Sequence, residues 1–105
     1  MVVDNIAKEF KNALEDLYGD ELADLILFGS YARGDFRKDS DIDFAVVLNN
    51  PATTSTSEIS KISTIGTDLS MKYNCFISYI GIPKHKLENS DLGIYQEIRR
   101  DGKRI

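Results

Sequence analysis

Two short apolar runs joined by a polar turn constrain the fold of this chain more than any other feature. The first run, Leu25 to Phe28, ends directly in Gly29 and Ser30, and the second, Ile42 to Leu48, begins directly after Asp41. Runs of this length, rich in β-branched and aromatic residues and bounded by polar turns, are typical of buried strands. The sequence therefore predicts two strands, with polar groups collected where the first ends and the second begins.

Two other segments have the periodicity of amphipathic helices. Apolar residues recur at helical spacing from Asp4 to Tyr18, with Asp4 as the expected N-cap and Gly19 as the stop signal. After a polar loop over residues 49–55, Thr56 or Ser57 is expected to cap a second helix. The apolar positions of that second helix are Ile59, Ile62, Ile65 and Leu69.

The remaining segments predict a third strand and a short final helix. The strand is the apolar run Cys75 to Ile82, ended by Pro83, and the helix covers residues 91–100 and is closed by Gly102. The order helix, strand, strand, helix, strand, helix predicts an α+β fold. We expect a two-layer α/β sandwich in which a small mixed β-sheet packs against helices. A length of 105 residues fits one domain spanning residues 1–105.

Composition and charge narrow the function classes. With 13 basic and 17 acidic residues the formal charge is −4, which argues against direct nucleic-acid binding through the phosphate backbone. The single cysteine, Cys75, excludes a disulfide framework and is expected to be a small core residue in a reducing compartment. No apolar stretch approaches the roughly 18 residues of a membrane span, and no signal-peptide pattern is present. A cytoplasmic location without membrane contact is the expectation.

The two polar groups between the first two strands suit a metal-bound phosphate. Gly29 permits close approach of a ligand to the backbone. The backbone amides that follow it and the hydroxyl of Ser30 can donate hydrogen bonds to phosphate oxygens. Asp41 and Asp43 are separated by one residue, so on a strand they project from the same face. Mg²⁺ usually takes one or two protein carboxylates and completes its shell with water and substrate phosphates. Together these residues predict a site for a metal and a nucleotide.

Three other interpretations of the same residues fit the sequence less well. A P-loop needs a lysine after Gly34, where Asp35 stands. A calcium-binding EF-hand loop starting at Asp39 needs a glycine where Phe44 stands and a glutamate where Asn50 stands. The third alternative, aspartates that only protect a strand edge, stays open for the pair alone but does not explain the adjoining Gly-Ser turn.

The pattern Gly29-Ser30, ten residues, Asp41-x-Asp43 resembles the signature of the DNA polymerase beta-like nucleotidyltransferase superfamily. Within it, the stretches Gly-Ser-Tyr-Ala-Arg-Gly at residues 29–34 and Ser-Asp-Ile-Asp at residues 40–43 are similar to the minimal nucleotidyltransferases, the MNT or MntA-like antitoxins. The resemblance implies the polymerase beta-like fold. It also implies that Gly29 and Ser30 bind the phosphates of ATP and that Asp41 and Asp43 are catalytic ligands of two Mg²⁺ ions.

The resemblance implies further residue roles and one departure. Arg33 corresponds to an arginine that the superfamily often directs at the triphosphate, and Ser40 is expected either to close its turn or to donate to phosphate. Active members usually carry a third carboxylate on a later strand, but the predicted third strand has no Asp or Glu. Ser78 and Phe76 are the candidates for that position, and the second of the two metal ions is expected to bind weakly.

Two functions follow from the resemblance. One is transfer of AMP from Mg-ATP to a hydroxyl, for which the family implies a tyrosine of a HEPN-type toxin partner and hence an antitoxin role. The other is a catalytically weakened, nucleotide-binding antitoxin that neutralises its partner by binding alone. The missing carboxylate on the third strand favours the second function, whereas the intact Gly-Ser and Asp-x-Asp pattern favours the first.

Overall fold

A computed structural model describes residues 2–52 and 55–105 and, within them, every predicted strand and helix. The helices are α1 (Val2–Tyr18), α2 (Ser30–Arg33), α3 (Ser55–Tyr73), α4 (Lys84–Asn89) and α5 (Gly93–Asp101), and a 3₁₀ turn covers Gly19–Glu21. The strands are β1 (Leu22–Phe28), β2 (Ile42–Leu48), β3 (Ile77–Pro83) and β4 (Lys103–Arg104).

The strands form one mixed sheet in the order β3, β2, β1, β4. Strands β1 and β2 are antiparallel and pair Phe28 with Asp43, whereas β2 and β3 are parallel and pair Asp43 with Ser78. Strand β4 is antiparallel to β1. The predicted α+β fold with a small mixed sheet is confirmed, and Asp43 lies on a central strand with a neighbour on each side.

The larger core lies between one face of the sheet and helices α1 and α3. Side chains alternate along a strand, so Phe44 and Val46 of β2 point to this face together with Leu25 and Leu27 of β1. Phe10 of α1 is fully buried here and meets Phe44 edge-to-face, with ring centroids 5.1 Å apart. Burying this apolar face is what orients both central strands.

A smaller core covers the opposite face, the one that carries Asp43. Ile26, Phe28 and Val47 point to this face and pack against Tyr95 and Ile98 of α5. Leu87 of α4 is half-buried against the same cluster. Helix α5 therefore shares a face of the sheet with the predicted site, which the order of elements in the sequence did not indicate.

Several predicted boundaries were wrong near helix ends. Asp4 is not an N-cap, because α1 begins at Val2, so the carboxylate lies in the first turn, where the positive end of the helix dipole favours it. Thr56 and Ser57 are not caps either, since α3 begins at Ser55 and the preceding residues 53–54 lie outside the described part of the chain.

The C-terminal predictions also need correction. Strand β3 begins at Ile77 rather than Cys75. Phe76 precedes the strand: its side chain is 75% exposed, and its carbonyl accepts the Ile42 N–H where the strand starts. Ile59, predicted to be apolar core, is 54% exposed. Helix α4 and strand β4 were not predicted, since both are too short to show a periodic pattern.

Cys75 is half-buried against the larger core, as the sequence predicted, and burial raises the pKa of its thiol. A raised pKa keeps the thiol protonated and unreactive, so a structural role fits it better than a nucleophilic one. None of the helices formed by the described residues is long and apolar enough to cross a membrane.

Candidate functional site

The turn that leaves β1 is built around Gly29. Its φ of +73° lies in the region that side-chain-bearing residues rarely adopt, and its carbonyl accepts the N–H groups of Ala32 and Arg33 at 3.1 and 3.0 Å. A Cβ at this position would overlap a carboxylate oxygen of Asp43 and lie 3.2 Å from its Cγ. Glycine is therefore required here for two reasons, the backbone conformation and the space that the Asp43 side chain occupies.

The pairing of Phe28 with Asp43 brings the two predicted halves of the site together. Asp43 is half-buried in β2, and Asp41 precedes the strand and is exposed. Burial raises the pKa of Asp43, and the negative charges of Asp41 and Glu97 raise it further. A hydrogen bond from Ser78 and the positive charge of Arg33 act in the opposite direction. The aspartates thus form a concentrated negative charge at the edge of the Gly29 turn, which a cation would relieve.

Ser30 and Ser40, the two serines predicted to contact the nucleotide, lie in different parts of the site. Ser30 is the first residue of α2, a helix of four residues in which the Ala32 and Arg33 amides already donate to Gly29, so the donors this turn could offer an anion are the Ser30 hydroxyl and the amides of Ser30 and Tyr31. Ser40 lies in the next turn, where its hydroxyl accepts the Arg37 N–H at 2.8 Å and its own N–H donates to the Arg37 carbonyl at 3.0 Å. Of the two alternatives for Ser40, this geometry favours the one in which it closes its turn.

The loop between these turns is ordered by an aromatic stack. Tyr31 of α2 and Phe36 lie parallel, with ring centroids 4.2 Å apart and an interplanar angle of 8°. Tyr31 also packs against the larger core, so the stack ties the loop to the body of the domain. Phe36 remains 41% exposed, which leaves an aromatic surface beside the turn.

Arg33, at the end of α2, lies beside the aspartates and is paired with other carboxylates. Its Nε donates to Asp35 Oδ2 at 3.2 Å, and its Nη1 is 3.8 Å from Glu97 Oε2 on α5. The hydrogen bond to Asp35, followed by the charges of Asp35, Glu97 and Asp101, raises the pKa of Arg33. The guanidinium is a permanent positive charge at the site.

The third strand carries no carboxylate on the face of Asp43. Of the two candidates from the sequence, Ser78 is the residue paired with Asp43, whereas Phe76 precedes the strand. Ser78 is exposed, and its side chain lowers the pKa of the neighbouring Asp43 carboxyl. Sequence reasoning missed Glu97, whose charge acts on Asp43 from α5. No local signal identifies Glu97, because only tertiary packing brings α5 to this face.

The residues present fit a metal ion that arrives with a nucleotide. Across residues 2–52 and 55–105, no three His, Cys, Asp or Glu side chains come close enough together to hold a metal ion unaided. Two carboxylates beside a glycine turn nevertheless match the usual protein share of a Mg²⁺ shell, with water and phosphate supplying the rest. Asp41 and Asp43 are the residues that would hold the ion.

A comparison with known protein families identifies the family to which this chain belongs. The family model for the nucleotidyltransferase domain matches residues 7–104, which include the whole of the site described above. The chain belongs to this family. Its assignment as a nucleotidyltransferase, made from the Gly-Ser and Asp-x-Asp pattern, is therefore confirmed, as is the resemblance to the minimal members.

A similar curated relative of this nucleotidyltransferase comes from Methanocaldococcus jannaschii and is provisionally named a protein adenylyltransferase. The two sequences are 40% identical over 80 residues, which cover 76% of this chain and 79% of the relative. The alignment is long enough to span most of both proteins.

Two solved structures share the fold. A provisionally assigned nucleotidyltransferase from Sulfolobus solfataricus has a TM-score of 0.68 at 20% identity, covering 95% of this chain and 76% of the other. A toxin–antitoxin structure containing AMP-PNP has a TM-score of 0.61 at 22% identity, covering 90% of this chain and 68% of the other. At these identities the likeness establishes the fold.

Replacing Gly29 with alanine tests whether its lack of a side chain gives Asp43 its position. We expect Gly29→Ala to weaken Mn²⁺-dependent binding of a fluorescent ATP analogue at least about tenfold, because the new methyl group displaces the Asp43 carboxylate. Gly34→Ala is the matched control. Gly34 also has a positive φ, +89°, but no atom lies within 4 Å of an added Cβ. Equal losses of binding in the two variants would contradict the assignment.

The raised pKa of Asp43 predicts that its ionised carboxylate lowers the stability of the folded chain at neutral pH. Because the folded chain binds a proton at this carboxyl more tightly than the unfolded chain, stability falls as the pH rises through the window between the two pKa values. In EDTA, Asp43→Asn should therefore raise Tm at pH 7. The gain should vanish below the ordinary Asp pKa of about 4, where the carboxyl is protonated in both states. A Tm gain that is the same at both pH values would show that charge is not its cause.

Proposed function

We propose that this nucleotidyltransferase transfers AMP from Mg-ATP to a tyrosine hydroxyl of a HEPN-type toxin partner and so acts as an antitoxin. The observation that carries the proposal is the closeness of the Asp43 carboxylate to Gly29, where an added Cβ would overlap a carboxylate oxygen. This closeness, together with the pairing of Phe28 with Asp43, supports one site shared by the proposed phosphate-binding turn and the proposed metal-binding carboxylates.

The transfer is a displacement at the α-phosphorus of ATP. The tyrosine oxygen forms a bond to that phosphorus, the bond to the bridging oxygen of the β-phosphate breaks, and pyrophosphate leaves while the hydroxyl proton passes to solvent. Gly29 and Ser30 bind the β- and γ-phosphates through backbone amides and a hydroxyl, and Arg33 offsets their charge. Mg²⁺ held by Asp41 and Asp43 would supply electrostatic stabilisation of the transferred phosphoryl group.

The proposed acceptor is supported by the relatives. The relative from M. jannaschii is named for transfer of adenylate to protein, and the structural neighbour with AMP-PNP is a toxin–antitoxin assembly. The formal charge of −4 is complementary to a basic partner of the kind that cuts RNA. These observations favour a protein acceptor over a nucleic acid.

Ser78 favours a second candidate function. A serine where active superfamily members usually carry a carboxylate removes one negative group beside Asp43. A chain in that state can retain nucleotide and metal binding while it transfers slowly, and neutralise its partner by occupying its surface. The two candidates differ in whether the partner becomes covalently modified.

Labelling of the partner separates the two functions. We expect the purified chain, incubated with Mg²⁺, ATP labelled at the α-phosphate and the product of the neighbouring gene, to leave covalent label on that product. Asp43→Asn should reduce the labelling about 100-fold or more, because it removes a carboxylate that would hold the Mg²⁺ ion, and with it the positive charge that would stabilise the transferring phosphoryl group.

The control for this variant is Asp68→Asn, which makes the same charge change at an exposed position of α3, the helix on the opposite face of the sheet. It should label the partner at the native rate. A stable complex of the two proteins that acquires no label with the native chain would contradict transfer and support neutralisation by binding.

A further inference from the structure

Glu97 lies where helix α5 meets the candidate site. Its helical neighbours Tyr95 and Ile98 are buried against the face of the sheet that carries Asp43, which fixes the orientation of α5. The Glu97 side chain remains 34% exposed and faces Arg33, with 3.8 Å between Oε2 and Nη1. Neither the family signature nor the Gly-Ser and Asp-x-Asp pattern includes this residue.

Arg33 is held by carboxylates from two separate elements. Asp35 binds Nε from the loop after α2, and Glu97 faces Nη1 from α5. A triphosphate at the Gly29 turn would compete for the same guanidinium donors, since an arginine satisfies carboxylate and phosphate with the same planar set of N–H groups. Nucleotide binding therefore requires Arg33 to exchange at least part of its carboxylate contacts for phosphate.

Glu97 also acts on the metal-binding aspartates. Its side chain faces Arg33, and its negative charge is among the causes that raise the pKa of Asp43. Ser78 occupies the strand position from which a third carboxylate would act. Glu97 is too far from Asp41 and Asp43 to complete a three-ligand group within the described residues, so its effect on a cation is through charge rather than coordination.

We propose that Glu97 is a positioning residue of the metal–nucleotide site. It holds Arg33 beside the aspartates until a triphosphate binds Arg33, and it adds the negative charge that β3 does not provide. This inference rests on the proposed function, because it assumes that a cation and a nucleotide share the Gly29 turn. It assigns a role to α5, a helix that the site otherwise does not use.

The proposal predicts opposite effects on the two ligands when the charge of Glu97 is removed. A cation loses one negative group that attracts it, so its affinity falls. A nucleotide added without metal binds more tightly, because Arg33 is released from Glu97 and a repulsive charge disappears. A structural fault in α5 would instead weaken both ligands together, so the opposite signs distinguish positioning from damage.

The test compares Glu97→Gln with the native chain in two separate titrations. Free Mn²⁺ is measured by electron paramagnetic resonance without nucleotide, and AMP-PNP binding is measured by calorimetry in EDTA. We expect Mn²⁺ affinity to fall about threefold and AMP-PNP affinity to rise about threefold, the size of effect typical of a half-exposed ion pair. Thermal melting monitors folding of each variant.

Glu15→Gln is the matched control, since it removes one negative charge from an exposed position of α1, on the opposite face of the sheet. It should leave both affinities unchanged. A Glu97→Gln variant that matches Glu15→Gln, or that loses affinity for both ligands, overturns the proposal. If the native chain binds neither Mn²⁺ nor AMP-PNP, the proposed function itself fails, which is a separate result.

A double-mutant cycle tests the role of Arg33. If Glu97 acts through Arg33, the gain in AMP-PNP affinity on Glu97→Gln should shrink in an Arg33→Gln background, because no guanidinium remains to be released. A gain that persists in full would show that Glu97 only repels the nucleotide, and would overturn its assignment as a positioning residue.

Discussion

The antiparallel pairing of Phe28 with Asp43 is the constraint on which the site depends. It places the last residue of β1 beside the second residue of β2, so the turn that follows Phe28 begins at the Asp43 carboxylate. Gly29 makes this possible because a side chain at that position would overlap the carboxylate. The larger core, with Phe10 packed edge-to-face on Phe44, fixes the register that keeps the pair in place.

The charges around this contact are arranged so that a metal–nucleotide complex would balance them. The negative charges of Asp41 and Glu97 act on Asp43 together with the positive charge of Arg33, which is paired with Asp35 and Glu97. In the proposed complex, a divalent cation would offset the charge of the aspartates, and a triphosphate would bind Arg33 in place of part of its carboxylate contacts.

The sequence predicted the parts of this site that are local and missed the part that is tertiary. The Gly29 turn and strand β2 follow from composition and alternation within a few residues, and their spacing carried the family resemblance. Glu97 could not be predicted, because its contact with Arg33 spans most of the chain and depends on how Tyr95 and Ile98 seat α5 on the sheet. The assignment of Ser78 rather than Phe76 likewise required the β2–β3 register.

The most direct test of the account is a crystal structure with Mn²⁺ and AMP-PNP, in which anomalous scattering identifies the metal. We expect a Mn²⁺ peak shared by the carboxylates of Asp41 and Asp43, with the triphosphate on the Gly29-Ser30 turn. A metal peak away from both aspartates, or a nucleotide bound elsewhere on the domain, would contradict it.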